Sequence, residues 1–202
     1  MWLDSTLLLL AFAGLVLLGG SAIIVRRLKL ACILFAIHSA YLGTVLFLIT
    51  GDPEGIYMHY LIAAMFLWPL LWAIERTSGY EEPPVLGVIT SSTIIIIIMF
   101  FSNIFYHFEP LQSGYASIIV MGIYGMVARR DIVKIAIGFN LIENGVHLFT
   151  IHLVTFGPQT PYIALVLDSA TILLNIVVAW IIVGIYSEYK SLNSWKIARL
   201  RW

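Results

Sequence analysis

Residues 129–147 read Arg129-Arg130-Asp131-Ile132-Val133-Lys134-Ile135-Ala136-Ile137-Gly138-Phe139-Asn140-Leu141-Ile142-Glu143-Asn144-Gly145-Val146-His147. A cluster of cations gives way to an apolar run that continues to residue 155, and Glu143 lies in the middle of that run. A helix of about 20 apolar residues spans a bilayer. An ionised carboxylate at the centre of a span costs at least about 2.5 kcal/mol on insertion scales. A chain this apolar does not need that cost to fold. The acid is therefore read first as functional, and the usual function is to carry a proton or an ion.

The whole chain fits that reading. Its 202 residues are 61% hydrophobic and 11% charged, with a mean hydropathy of +0.98. Eleven basic and eleven acidic residues are too few to cover a soluble domain of this length. The net charge is zero, which excludes nucleic acid as a partner. The lone Cys32 lies inside an apolar run, so disulfides and thiolate metal sites are not expected. The N-terminus, Met1-Trp2-Leu3-Asp4-Ser5, lacks the basic region and the small-residue cleavage site of a signal peptide, so the first helix is expected to be retained.

Seven spans are predicted, at about 5–25, 30–50, 56–74, 85–106, 113–128, 132–155 and 161–186. Short connections rich in Gly and Pro separate them, such as Gly51-Asp52-Pro53-Glu54-Gly55 and Gly157-Pro158. The fold class is an all-α integral membrane bundle. Seven spans place all eleven Lys and Arg on one side, whereas Asp52, Glu54, His107 and Glu109 fall on the other. Lys and Arg are retained in the cytoplasm, so the N-terminus is expected outside and the C-terminus inside. Arg26, Arg27, Arg129 and Arg130 are read as inner-side topology anchors. Trp195 and Trp202 among the last bases mark an interfacial segment.

The two Arg pairs also mark an internal repeat. Gly19 through Arg26-Arg27 matches Gly122 through Arg129-Arg130 at a fixed offset, giving a 3+1+3 layout of parallel repeats such as occurs in transporters. The chain divides into an N-terminal three-helix repeat (1–84), a linking helix (85–112), a C-terminal three-helix unit (113–186) and a basic tail (187–202). The copies have diverged: Glu143 pairs with Ala40, and a second intramembrane acid, Asp168, pairs with Met65.

Asn140, Glu143, Asn144 and His147 follow i, i+3, i+4, i+7 spacing and share one helix stripe. Asp168, Thr171 and Asn175 share a face of the last helix. If these helices pack antiparallel across a short turn, the two acids differ by about 8 Å in depth, a separation that water can bridge. Lys134 and the Arg129-Arg130 pair lie toward the inner side and can bias protonation of the acids. His147 is read as an orienting partner of Glu143 rather than a metal ligand, because two ligands are too few for a metal site. His38, His59, His107 and His152 are read as isolated, with His59 and His152 at the interface.

Helices five to seven resemble the K-type subunit of complex I and the C-type subunit of multi-subunit sodium/proton antiporters. The residues that carry the resemblance are Gly122-Ile123-Tyr124-Gly125, Arg129-Arg130-Asp131, and a helix bearing Gly138 and Asn144. The run Leu141-Ile142-Glu143-Asn144-Gly145-x-His147-Leu148 and the Asp168-x-Ala170 opening of the last helix resemble hydrogenase-4 component E, a membrane subunit of group 4 [NiFe]-hydrogenases of the formate hydrogenlyase type. The resemblance implies a non-catalytic subunit in a prokaryotic plasma membrane, between an antiporter-like subunit and the membrane anchor of a redox arm. It implies that Glu143, Asp168, His147, Asn144, Asn140 and Lys134 line a proton or sodium path. It also implies that [NiFe] and iron–sulfur centres belong to partner subunits and that this chain binds no cofactor. The match has departures. Complex I K subunits place their first buried Glu where this chain has Asn140, their second has no counterpart, and the helix-three Lys of hydrogenase-4 component E is replaced by Ala64, ahead of Pro69.

Two other readings stay open at this stage: a stand-alone transporter of a small solute, and a scaffold subunit that conducts nothing. A retinal pigment is excluded because the last span carries no Lys. An intramembrane protease is excluded because Glu143 and two histidines supply neither a nucleophile nor a ligand set.

Overall fold

The computed structural model describes residues 5–51, 53–77, 87–107, 109–156, 161–194 and 197. Among them are seven α-helices: α1 (Ser5–Ile24), α2 (Leu28–Thr50), α3 (Pro53–Arg76), α4 (Val88–Phe105), α5 (Pro110–Ala128), α6 (Ile132–Phe156) and α7 (Pro161–Tyr189). Six of them contain an apolar stretch long enough to cross a membrane. The other, α3, is 24 residues long and carries charge at its end. The chain is a small all-α, multi-pass membrane protein. Met1–Asp4, the connections at 78–86 and 157–160, and the terminal residues Trp195, Lys196, Arg199, Arg201 and Trp202 lie outside the described residues.

The helix ends follow local chemistry. Helix α5 starts at Pro110, three residues earlier than the apolar run, because proline at the first helical position loses only an N–H that has no intrahelical partner. Gly51 stops α2 in the left-handed conformation (φ 74°) and returns its N–H to the Phe47 carbonyl at 2.7 Å. The junctions after α1 and α5 and the ends of α3 and α7 carry the described basic residues, all at one end of the bundle. Lys29 at the start of α2 pairs with Glu75 at the end of α3, 3.1 Å apart and exposed.

Helices α5 and α6 make the tightest pair, and glycines are the reason. A Cβ on Gly122 would lie 2.6 Å from the Gly138 carbonyl oxygen, and one on Gly138 would lie 2.8 Å from the Gly122 oxygen. A Cβ on Gly145 would meet Ile119 N and Tyr115 O at 3.1 Å each. The backbones touch because nothing stands between them, the usual solution where lipid offers helices no hydrophobic drive to associate. Helices α2 and α3 pack together, α1 packs on α2 and α5, and α7 packs mainly on α3 and less on α6. The core is a single cluster that includes Leu15, Ile23, Phe35, Leu42, Met121 and Leu141.

Helix α4 stands apart. It buries only Ser91 and Ile95 and leaves Ile89, Ile96, Phe100, Phe101 and Phe105 exposed, the composition of a face that meets lipid or another apolar surface.

Gly122→Val is expected to destabilise the protein by about 1–3 kcal/mol, the range for forcing extra volume into a close-packed site. Gly184→Val, whose Cβ would meet nothing within 4 Å, is expected to be silent. Thermal unfolding of both variants in mild detergent checks the pair.

Candidate functional site

The polar stripe of α6 resolves into a centre and a flank. Asn140, Asn144 and His147 are buried, and Glu143 is half-buried. At 100° per residue Glu143 lies to one side of Asn144, at the edge of the stripe rather than its middle. Asn140 turns back on its own helix, donating from Nδ2 to the Ala136 carbonyl at 2.8 Å. Asn144 reaches across, with its Nδ2 3.4 Å from Ser39 Oγ of α2.

At the inner end the sequence builds a clamp. Asp131 is fully buried and caps α6, its Oδ1 accepting the Val133 N–H at 2.8 Å. The segment after α7 folds back on the same junction: Asp131 forms an antiparallel bridge with Asn193. There the Ile132 N–H donates to the Leu192 carbonyl and the Ser194 N–H to the Arg130 carbonyl. Lys134, also fully buried, donates from Nζ to the Val25 carbonyl just past the end of α1. A helix C-terminus, with free carbonyls and the negative end of the dipole, is the cheapest place to bury an ammonium. Arg129 is buried at the same junction. Lys134 is nine residues from Glu143, so the two lie about 13 Å apart along the helix. Any influence of the one on the other is electrostatic and not a direct contact.

The structure gathers residues that the sequence left apart. His38 of α2 and His59 of α3 are fully buried rather than isolated or interfacial. The His59 and His147 rings meet edge-to-face with centroids 4.8 Å apart, and Ser39, next to His38 on α2, lies 3.4 Å from Asn144 of the His147 helix. His38 Nδ1 is 2.9 Å from the Leu15 carbonyl of α1. Gly19, one turn on, is packed closely: a Cβ there would lie 2.6 Å from the Met121 methyl, 2.9 Å from Leu141 and 3.3 Å from the same nitrogen. Three single histidines on three helices have no periodic pattern, so only packing reveals them. The one sequence signal is that each lies in a predicted span. His107 is exposed in the turn after α4, at the end of the bundle opposite the described basic residues. The side chain of His152 lies outside the described residues.

Asp168 belongs to α7, whose partner is chiefly α3 and not α6. The side chains of Asp168 and Thr171 lie outside the described residues. Asn175, on the same helix, is buried, and its Oδ1 has no hydrogen-bond partner among the described residues. No group of three or more His, Cys, Asp or Glu side chains among the described residues is arranged to hold a metal ion.

Residues 111–202 match the family NADH-ubiquinone/plastoquinone oxidoreductase chain 4L. The matched segment runs from the first turn of α5 through α7 and contains Lys134, Asn140, Glu143, Asn144, His147 and Asp168. It supports a membrane-arm subunit of a complex I-like oxidoreductase, with partner subunits in the membrane. No curated protein and no solved structure gave a match.

Asp131→Ala is expected to cost about 1 kcal/mol of stability through loss of the cap, and Asp131→Asn less, because the amide oxygen still accepts. The midpoints of thermal unfolding in detergent decide it. A midpoint unchanged in Asp131→Ala refutes the capping role.

Proposed function

We propose that the chain is a membrane-arm subunit of a group 4 hydrogenase-like, complex I-related assembly. In this reading it contributes the acids of α6 and α7 to a proton or sodium path coupled to redox chemistry in other subunits. Its neighbours are an antiporter-like membrane subunit and the membrane anchor of the redox arm, and the [NiFe] and iron–sulfur centres reside in those other subunits. The observation that carries the reading is Glu143, half-buried midway along a spanning helix inside the family-matched segment and beside buried Asn144 and His147. An intramembrane acid is expensive enough to require a use. The neighbouring amide and imidazole can stabilise either protonation state of the carboxyl by hydrogen bonding.

Glu143→Gln keeps the shape of the side chain and removes the proton-carrying group. It is expected to abolish coupled ion transport while the assembly still forms, and Asp168→Asn is expected to have a smaller effect. Mild-detergent pull-down with mass spectrometry checks assembly, and ion flux in membrane vesicles checks transport. Recovery of an antiporter-like subunit together with a [NiFe]-type large subunit supports the assignment. Recovery of the chain alone refutes it. Normal pumping by Glu143→Gln removes the proposed role of that residue.

A further inference from the structure

Resting on that reading, we propose that the path carries protons, and that His38 and His59 of the N-terminal half form its outer leg with His147. Counting from the outer helix ends at about 1.5 Å per residue, His59 lies about 9 Å deep, His147 about 14 Å and His38 about 18 Å. Glu143 follows at about 20 Å and Asn140 at about 24 Å. The rings form a descending series from the outer end to the level of the acid, and each comes from a different helix.

The chemistry of each ring suits a relay. The Leu15 carbonyl can only accept, so neutral His38 carries its hydrogen on Nδ1 and donates it there. Its Nε2 is then a bare lone pair with no hydrogen-bond partner among the described residues. His38 therefore takes up and releases a proton at that one atom. Neither ring nitrogen of His59 has a hydrogen-bond partner among the described residues, and the ring stands edge-to-face against His147. An imidazole that accepts a proton at one nitrogen can release one from the other, which makes histidine a proton shuttle. Only protons move: an O–H bond of the delivering water breaks as a ring N–H forms, a ring N–H breaks as an O–H forms on the receiving water or carboxylate, and each ring returns to its neutral state.

The same arrangement does not suit sodium. Hard cations are bound by sets of oxygen ligands, and imidazole nitrogen is a poor substitute. The three rings come from three helices at successive depths and present nitrogen atoms, not a shell of oxygens. The groups that face the series are few. Among the described residues, α1 offers the Leu15 carbonyl to His38, and Ser39 of α2 meets Asn144 of α6, with Glu143 on the flank of that helix. With one crossing per helix, α3 and α7 run in the same direction, and Asp168 on α7 is as many turns from the outer end as His59 on α3. The N-terminal repeat, which has no acid opposite Glu143 or Asp168, thus enters the path through imidazoles.

The test uses membrane vesicles containing the complete assembly, with vesicles lacking this subunit as the baseline. An imposed potassium diffusion potential drives flux, a pH-sensitive dye reports protons, and radioactive sodium reports sodium. Wild type is expected to conduct protons above baseline and no sodium. His59→Phe is expected to lower the proton flux by about 100-fold, the low end of what a positioned proton-transfer group contributes. His59→Ala is expected to recover flux when imidazole is added, a rescue that a purely structural role does not produce. Should His59→Phe fail to purify with its partners, His59→Gln carries the same expectation. Sodium flux in wild type, proton flux equal to baseline, or undiminished proton flux in the His59 variants overturns the inference. Loss of flux in Glu143→Gln with none in the His59 variants overturns the histidine leg alone. Normal flux in Glu143→Gln overturns the reading on which it rests.

Discussion

The backbone contact between α5 and α6 is the constraint on which the rest of this bundle depends. Lipid tails are as apolar as leucine, so association has to come from close packing. Gly122 and Gly138 supply it by placing each carbonyl where the other residue would carry a side chain. Once α6 is held at that distance, its rotation is fixed. Leu141 and Ile137 enter the core, Asn144 and His147 point toward α2 and α3, and Glu143 is left on the flank. Asp131 starts the helix in register with the glycine contact, and the segment after α7 closes over the junction. The polar stripe thus takes its orientation from residues that have no polar side chain.

The spans and the charge asymmetry were legible from composition alone, because a bilayer imposes both length and sidedness on a helix. The α6 stripe was legible because its residues recur at helical spacing. The histidine cluster was not. His59 is a single imidazole in an apolar stretch, and its meeting with His147 depends on helix rotations that no local pattern encodes. The relation of the two acids was also beyond the sequence. A short connection between α6 and α7 favours direct antiparallel packing, yet α7 lies mainly along α3. Pro110 lies ahead of the apolar run predicted from 113 and still starts the helix, because proline is favoured at the first helical position.

The helices in equivalent positions of the two halves touch across the bundle: α1 with α5, α2 with α6, and α3 with α7. Their chemistry does not match position by position. At the repeat offset His147 faces Thr44, and His38 faces Leu141. Gly19 and Gly122 do correspond, but one makes room for the side chains of Met121 and Leu141 and the other for a carbonyl. The polar contacts between the halves are therefore asymmetric: His59 and Ser39 come from one, His147 and Asn144 from the other.

Desolvation accounts for where each kind of polar group lies. An imidazole can be buried as a neutral ring, at the cost of an unmade hydrogen bond and not of an unpaired charge. The three rings accordingly occupy the interior. An ammonium stays charged more readily, and Lys134, fully buried, lies where the end of α1 offers a carbonyl and a favourable dipole. A carboxylate has no such terminus in mid-membrane. Glu143 lies on the flank of α6, where it is only half withdrawn from the surface of the bundle. The acid therefore lies at the edge of the stripe, while the imidazoles of His38, His59 and His147 lie in the interior.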